Sequence, residues 1–138
     1  MQTFLPYKDF VKTAKCLDYR RLGKQRVEAY QIINCLENKS SIGWKNHPAV
    51  KMWLGYTDAL KLYHDCMVIE WVKRGYNNSM KLYEVKNVIL PKWIGDNRLH
   101  SSHRAKLLGK DYNYYSKFGW SEDPQESYVS YFWPIWEK

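Results

Sequence analysis

Three cysteines, Cys16, Cys35 and Cys66, stand in 138 residues with no Cys-x-x-Cys spacing, which argues against a disulfide framework. No apolar run approaches the roughly 18–20 residues of a membrane span. The opening Met1-Gln2-Thr3-Phe4-Leu5-Pro6 lacks the basic start and apolar stretch of a signal peptide. These absences predict a soluble chain in a reducing compartment, cytoplasmic, with the nucleus or an infected cell left open, and no membrane partner. A glycine-rich phosphate loop, a His-Glu-x-x-His pair and a Gly-x-Ser-x-Gly elbow are all missing. So are repeats, low-complexity tracts and linkers, and the expectation is one domain over residues 1–138.

What the chain does have is positive charge and aromatic rings. It carries 22 Lys and Arg against 14 Asp and Glu, a formal net charge of +8. That balance attracts polyanions, nucleic acid first among them. Seven Trp and twelve Tyr are more than a core of this size can hide, so some must cover a surface or line a groove. The densest basic run is Leu17 to Glu28, which holds four cations, one amide and two carboxylates while keeping Leu17, Leu22 and Val27 apolar.

Periodicity predicts an all-α chain of about three main helices with an irregular, aromatic-rich C-terminal tail. The first helix is expected from residue 13 or 18 to 36, with Leu22, Ala29, Ile33 and Leu36 as its buried stripe. Residues 38–43 read as a loop. A second helix is expected to open at Pro48 and run about 26 residues, near 40 Å, to Arg74, with Gly75 as its stop. Residues 82–90 read as a short strand or irregular chain. A third helix is expected over 98–108, ended by Gly109.

Each candidate site has a plainer reading beside it. Arg21, Lys24, Gln25 and Glu28 share one flank of the first helix. From pattern alone they read first as a solvated face laced by a Lys24–Glu28 pair, and beside that as a phosphate-binding flank with Glu28 as acid or base. Asn46 and His47 stand at a loop-to-helix junction that favours anions, or serve as a helix cap and a turn residue. His100 and His103 lie one helical turn apart, beside Arg104. Without a further ligand at a recognised spacing they predict no metal site, and they read as basic groups near a phosphate or as solvated surface. The C-terminal aromatics can stack on bases, but packing over the core accounts for most of them.

Three segments occur in an order that resembles a known family: Tyr19-Arg20-Arg21-Leu22, the stretch 47–77 closing Trp71-Val72-Lys73-Arg74-Gly75-Tyr76-Asn77, and the stretch 100–115 closing Tyr112-Asn113-Tyr114-Tyr115. Together with the length they are similar to the pyrimidine-dimer DNA glycosylases, the small phage and viral "endonuclease V" type, in a bacterial and viral branch opening Met-Gln-Thr-Phe-Leu-Pro. The resemblance implies a compact three-helix fold and a glycosylase with lyase activity on cyclobutane pyrimidine dimers in double-stranded DNA. It also implies attack on the sugar C1′ by an N-terminal α-amine, assisted by a glutamate of the first helix, without metal or other cofactor. A terminal amine suits that step because it is less basic than lysine and more of it is neutral at pH 7.

Two departures follow from the alignment. Gln2 replaces the small residue that allows Met removal, so Met1 is expected to stay. Its own amine then serves, Thr3 is exposed by other processing, or the branch uses no N-terminal nucleophile. Arg21 falls where the family has its catalytic glutamate, and Glu28, two turns along the same flank and about 10 Å away, is the nearest substitute. Arg20 matches a family arginine and Lys24 lies near another basic position. The expected site is therefore Glu28, Met1 and Arg21 for chemistry, with Arg20, Lys24, Gln25, Asn46, His47, His103 and Arg104 toward DNA, in a monomer. A non-catalytic binding module on the same scaffold, or an enzyme for another modified base or nucleotide, stands as the alternative.

Overall fold

A computed structural model describes residues 1–39, 46–125 and 131–135. The expectations that fall on residues 40–45, and on Tyr128 and Trp136 in the tail, lie outside the described residues. The elements are α1 (Phe10–Cys16), α2 (Tyr19–Leu36), α3 (Pro48–Lys51), α4 (Thr57–Lys73), α5 (Asn97–Lys110) and α6 (Tyr112–Tyr115), then a 3₁₀ turn (Ser116–Phe118). Among the described residues there is no strand, and the chain is all-α. No described helix is long and apolar enough to cross a membrane.

The core forms where α2 lies along α4. Leu22, Ala29, Ile32 and Ile33 of α2 are buried in one cluster with Leu60, Tyr63 and Met67 of α4, Phe10 and Ala14 of α1, and Leu99 and Leu107 of α5. The predicted α2 stripe is thus the buried one, except that Leu36 is only partly covered. Gly23 is part of the same packing: a Cβ there would lie 2.8 Å from Cζ3 of Trp71. The Tyr19 ring stacks on Trp71 and the Arg26 guanidinium lies 4.3 Å over it.

Three helix boundaries differ from the sequence reading. The first predicted helix is two, broken at Leu17 and Asp18, both in extended conformation. The Tyr115 hydroxyl holds the break, accepting from the Asp18 N–H at 3.1 Å and donating to its carboxylate. The second is also two: α3 is a single turn, residues 53 and 54 tighten to i→i−3 bonds, and Gly55 turns left-handed at φ +87°. That leaves α4 with 17 residues, about 25 Å rather than 40. The third runs through Gly109 and ends at Lys110, where Asp111 leaves helical geometry and caps α6 by accepting from the Tyr114 N–H.

Other signals fall as expected. Gly75 closes α4 at φ +90°, with its N–H on the Val72 carbonyl and that of Tyr76 on Trp71, a Schellman pair. Residues 82–90 are irregular: Glu84 and Asn87 have positive φ, and the Asp65 carboxylate takes the N–H groups of Tyr83 and Glu84. In the tail, Trp120 stacks on Tyr115 and Phe118 and donates to the Tyr7 hydroxyl, so these rings pack over the core.

Candidate active site around the N-terminal segment

Residues 3–6 are buried without regular secondary structure, so their backbone polar groups need partners from elsewhere. Side chains of α2, α4 and α5 supply them. The Phe4 N–H donates to Gln25 Oε1 at 2.8 Å, and the Tyr63 hydroxyl reaches both the Phe4 carbonyl (2.7 Å) and Gln25 Oε1 (2.8 Å). The Leu5 N–H donates to His103 Nδ1 at 2.8 Å. The Leu5 carbonyl lies 2.7 Å from His100 Nδ1, whose Nε2 accepts from the Gly95 N–H, so the His100 proton sits on Nδ1 and points at Leu5. Arg104 donates to the Pro6 carbonyl at 2.8 Å and to Glu122 at 2.9 Å. The Thr3 hydroxyl accepts from the Trp53 indole at 3.0 Å. One short segment, ending in the Met1 amine, is held at four consecutive residues.

Gln25 links this clamp to a carboxylate. Its Nε2 donates to Glu28 Oε2 at 2.8 Å, while Lys24 Nζ lies 3.9 Å from Glu28 Oε1. Glu28 is 9% exposed, so its charge sits at the edge of the interior with one oxygen fixed by an amide. His47 closes the group. Burial and the nearby positive N-terminus hold its pKa below the usual histidine value, while Glu28 pulls it upward. One imidazole thus feels both the Met1 amine and the Glu28 carboxylate. His47 Nδ1 accepts from the Ala49 N–H at 3.0 Å, and its ring meets Trp133 edge-on.

The expected site residues divide by location. Gln25 and Glu28 are hydrogen-bonded, Gln25 in turn holds Phe4 behind Met1, and His47 feels the charges of the N-terminus and of Glu28. Arg20 is exposed and the Lys24 side chain is 72% exposed, on the outer flank of α2. Arg21 is paired with Asp18 at 3.2 Å, two turns before Glu28. Gln25, expected to face DNA, is 1% exposed and its amide is taken up between Phe4 and Glu28. His100 and His103, read as surface or phosphate neighbours, are buried and grip Leu5, and Arg104 is likewise turned to Pro6 and Glu122. Asn46 is exposed, and His47 rather than Asn46 caps α3. With that amide capped and only four residues in α3, the helix-end argument for an anion there falls away.

Sequence reasoning passed over Tyr63, Trp53 and Tyr131. The clue for the clamp was present in α5, where both histidines lie between Leu99 and Leu107 on a helix whose buried side they share. Among the described residues, no group of three or more His, Cys, Asp or Glu is placed to hold a metal ion. A cavity of about 730 Å³ lined by Lys51, Met52, Leu54, Tyr56, Lys92 and Trp93, with neighbours, shares no residue with the Glu28 group.

The family model described as pyrimidine dimer DNA glycosylase matches residues 1–84, more than half of the chain and the part that holds Met1, Gln25, Glu28 and His47. No curated protein and no solved structure matches.

Proposed function

The chain belongs to the pyrimidine dimer DNA glycosylase family, and from that membership we propose that it removes damaged or modified pyrimidines from duplex DNA, with strand cleavage at the resulting site. The observation that carries this reading is the hydrogen-bond chain from the Glu28 carboxylate through Gln25 to Phe4, in the N-terminal segment held at residues 3–6 behind the Met1 amine. Holding a nucleophile beside the group that assists it lowers the entropic part of the barrier.

In the proposed reaction the neutral Met1 amine bonds to C1′ as the glycosidic bond breaks, its electron pair leaving on the base. Glu28 stabilises the oxocarbenium-like sugar electrostatically. Of the two protons the amine nitrogen then gives up, one goes to the departing base and one to the ring oxygen as the sugar opens, which leaves the imine from which the strand is cut. Gln25 fixes one Glu28 oxygen and Phe4 together, which makes it a positioning residue. Arg20 and Lys24 provide phosphate contacts, and Arg21 adds its charge from the Asp18 pair. The chain acts as a single-domain monomer.

The test incubates ultraviolet-irradiated and undamaged duplex with the protein, with and without borohydride. The expected result is lesion-dependent nicking and a trapped adduct whose mass locates the modified amine at Met1. Glu28→Gln is expected to abolish turnover while leaving DNA affinity within a few-fold. Base release without an adduct makes the protein a monofunctional glycosylase built on Glu28. Salt-dependent binding with neither product makes it a binding module.

A further inference from the structure

Two buried polar atoms beside this site have no hydrogen-bond partner among the described residues: Nε2 of His103 and the hydroxyl of Tyr131. Their rings belong together, stacked with centroids 5.2 Å apart and planes 8° from parallel. His103 is 1% exposed, and its Nδ1 is occupied as an acceptor by the Leu5 N–H, so its proton is on Nε2. That leaves an N–H donor and an O–H donor, both enclosed, on one pair of stacked rings. Buried donors are almost always satisfied, and each one that is not costs stability. Two such atoms on one ring stack, bonded to the segment that carries Met1, have the character of a site retained for a ligand.

Charge defines the ligand. Burial, together with the Glu28 carboxylate, pushes the Tyr131 phenol up, and burial pushes His103 down to about 3. Both groups are therefore neutral donors across the working pH range. The Glu28 charge thus disfavours further negative charge at the Tyr131 hydroxyl. The same charge disfavours a phosphate and leaves an uncharged acceptor. We propose that His103 Nε2–H and the Tyr131 hydroxyl form a neutral donor pair that receives an uncharged oxygen of the target nucleoside, of the deoxyribose or of the pyrimidine. The pair lies beyond the family-matched segment 1–84 and belongs to the remainder of this chain.

The subsite rests on the glycosylase reading and adds a coupling to it. An oxygen accepting from Nε2–H polarises the imidazole and strengthens the bond that Nδ1 accepts from Leu5, so occupancy of the subsite tightens the clamp on the N-terminal segment.

Tyr131→Phe removes one donor and keeps the ring stack. Without DNA, the variant's Tm is expected to equal or exceed that of the wild type, because a buried unpartnered hydroxyl is lost. With DNA, affinity is expected to fall roughly 2- to 13-fold, the range for one net hydrogen bond. Two duplexes separate the oxygen sources: one with an intact damaged pyrimidine, one with a tetrahydrofuran abasic analogue that keeps the ring oxygen and lacks the base. A loss on both assigns the sugar oxygen, and a loss on the first alone assigns the pyrimidine. Histidine-labelled ¹⁵N NMR gives a readout without mutation, in which the His103 Nε2 resonance is expected to shift on adding either bound duplex. Unchanged affinity with an unmoved resonance overturns the subsite. A Tm lowered by several degrees also overturns it, since the hydroxyl would then be partnered in the free protein. Absence of wild-type affinity for both duplexes removes the glycosylase reading itself, which is a separate result.

Discussion

Arg20 and Lys24 project from α2 one turn apart, both exposed, on a chain of net charge +8. Neighbouring positions on the same helix have different partners. Arg21 is bound to Asp18, Gln25 is sealed between Phe4 and Glu28, and Arg26 lies over Trp71 with a hydrogen bond to Asn78. In the proposed function, exposure therefore selects Arg20 and Lys24 as the cations of this helix that meet the phosphate backbone. A measurable consequence is the salt dependence of binding, since each phosphate contact releases counterions. Arg20→Ala and Lys24→Ala are each expected to flatten the slope of log Kobs against log salt by about 0.9 and to weaken binding to all duplex sequences alike. Titrations at several salt concentrations check this, and an unchanged slope for both variants would place the DNA on another face.

At the scale of elements, the helix ends explain how the site is framed. The α4 stop at Gly75 is a backbone effect: the residue sits at φ +90° and a Cβ there would meet nothing within 4 Å. Gly75→Ala is therefore expected to cost about 1–2 kcal/mol from left-handed strain alone, lowering Tm by roughly 3–8 °C. A thermal melt that matches the wild type would show that the cap contributes little. The break between α1 and α2 has another origin. Leu17 and Asp18 carry no glycine or proline to announce it, and the Tyr115 hydroxyl, 97 positions away, bonds both the backbone and the carboxylate of Asp18. Helical periodicity continues through such a break, so the pattern gave one helix where the chain has two.

For the whole molecule, the buried histidines make stability depend on pH. Burial lowers the pKa of His103 to about 3 and lowers those of His64 and His100 as well. A histidine whose folded pKa lies below its unfolded value takes a proton more readily when the chain unfolds. Its stabilisation is complete above the unfolded pKa of about 6.5 and is lost as pH falls toward the folded value. For His103 alone the loss amounts to on the order of 4 kcal/mol over that window. Thermal melts between pH 7.5 and 4.5 are expected to show Tm constant down to about 6.5 and falling steadily below. Activity is expected to fall with it, because His100 and His103 are what hold Leu5. A flat profile across the window would mean that these rings are not neutral and buried in solution.

Much of this protein follows from local pattern. Spacing along the chain determined the all-α class, the buried face of α2, the stop at Gly75 and the placement of Lys24 and Glu28 on one flank, because each depends on residues within two or three helical turns. Net charge pointed to a polyanion for the same reason of locality, since it needs no fold. Only the tertiary structure turned His103 and Gln25 inward, brought Tyr131 onto His103 and set the N-terminal segment beside Glu28. Those contacts join residues such as Leu5 and His103, 98 positions apart, and Phe4 and Tyr63, 59 apart. A histidine one turn from another reads alike whether it faces solvent or a buried backbone. The burial of the chain around it, and the need of an irregular buried segment for hydrogen-bond partners, decide which it is.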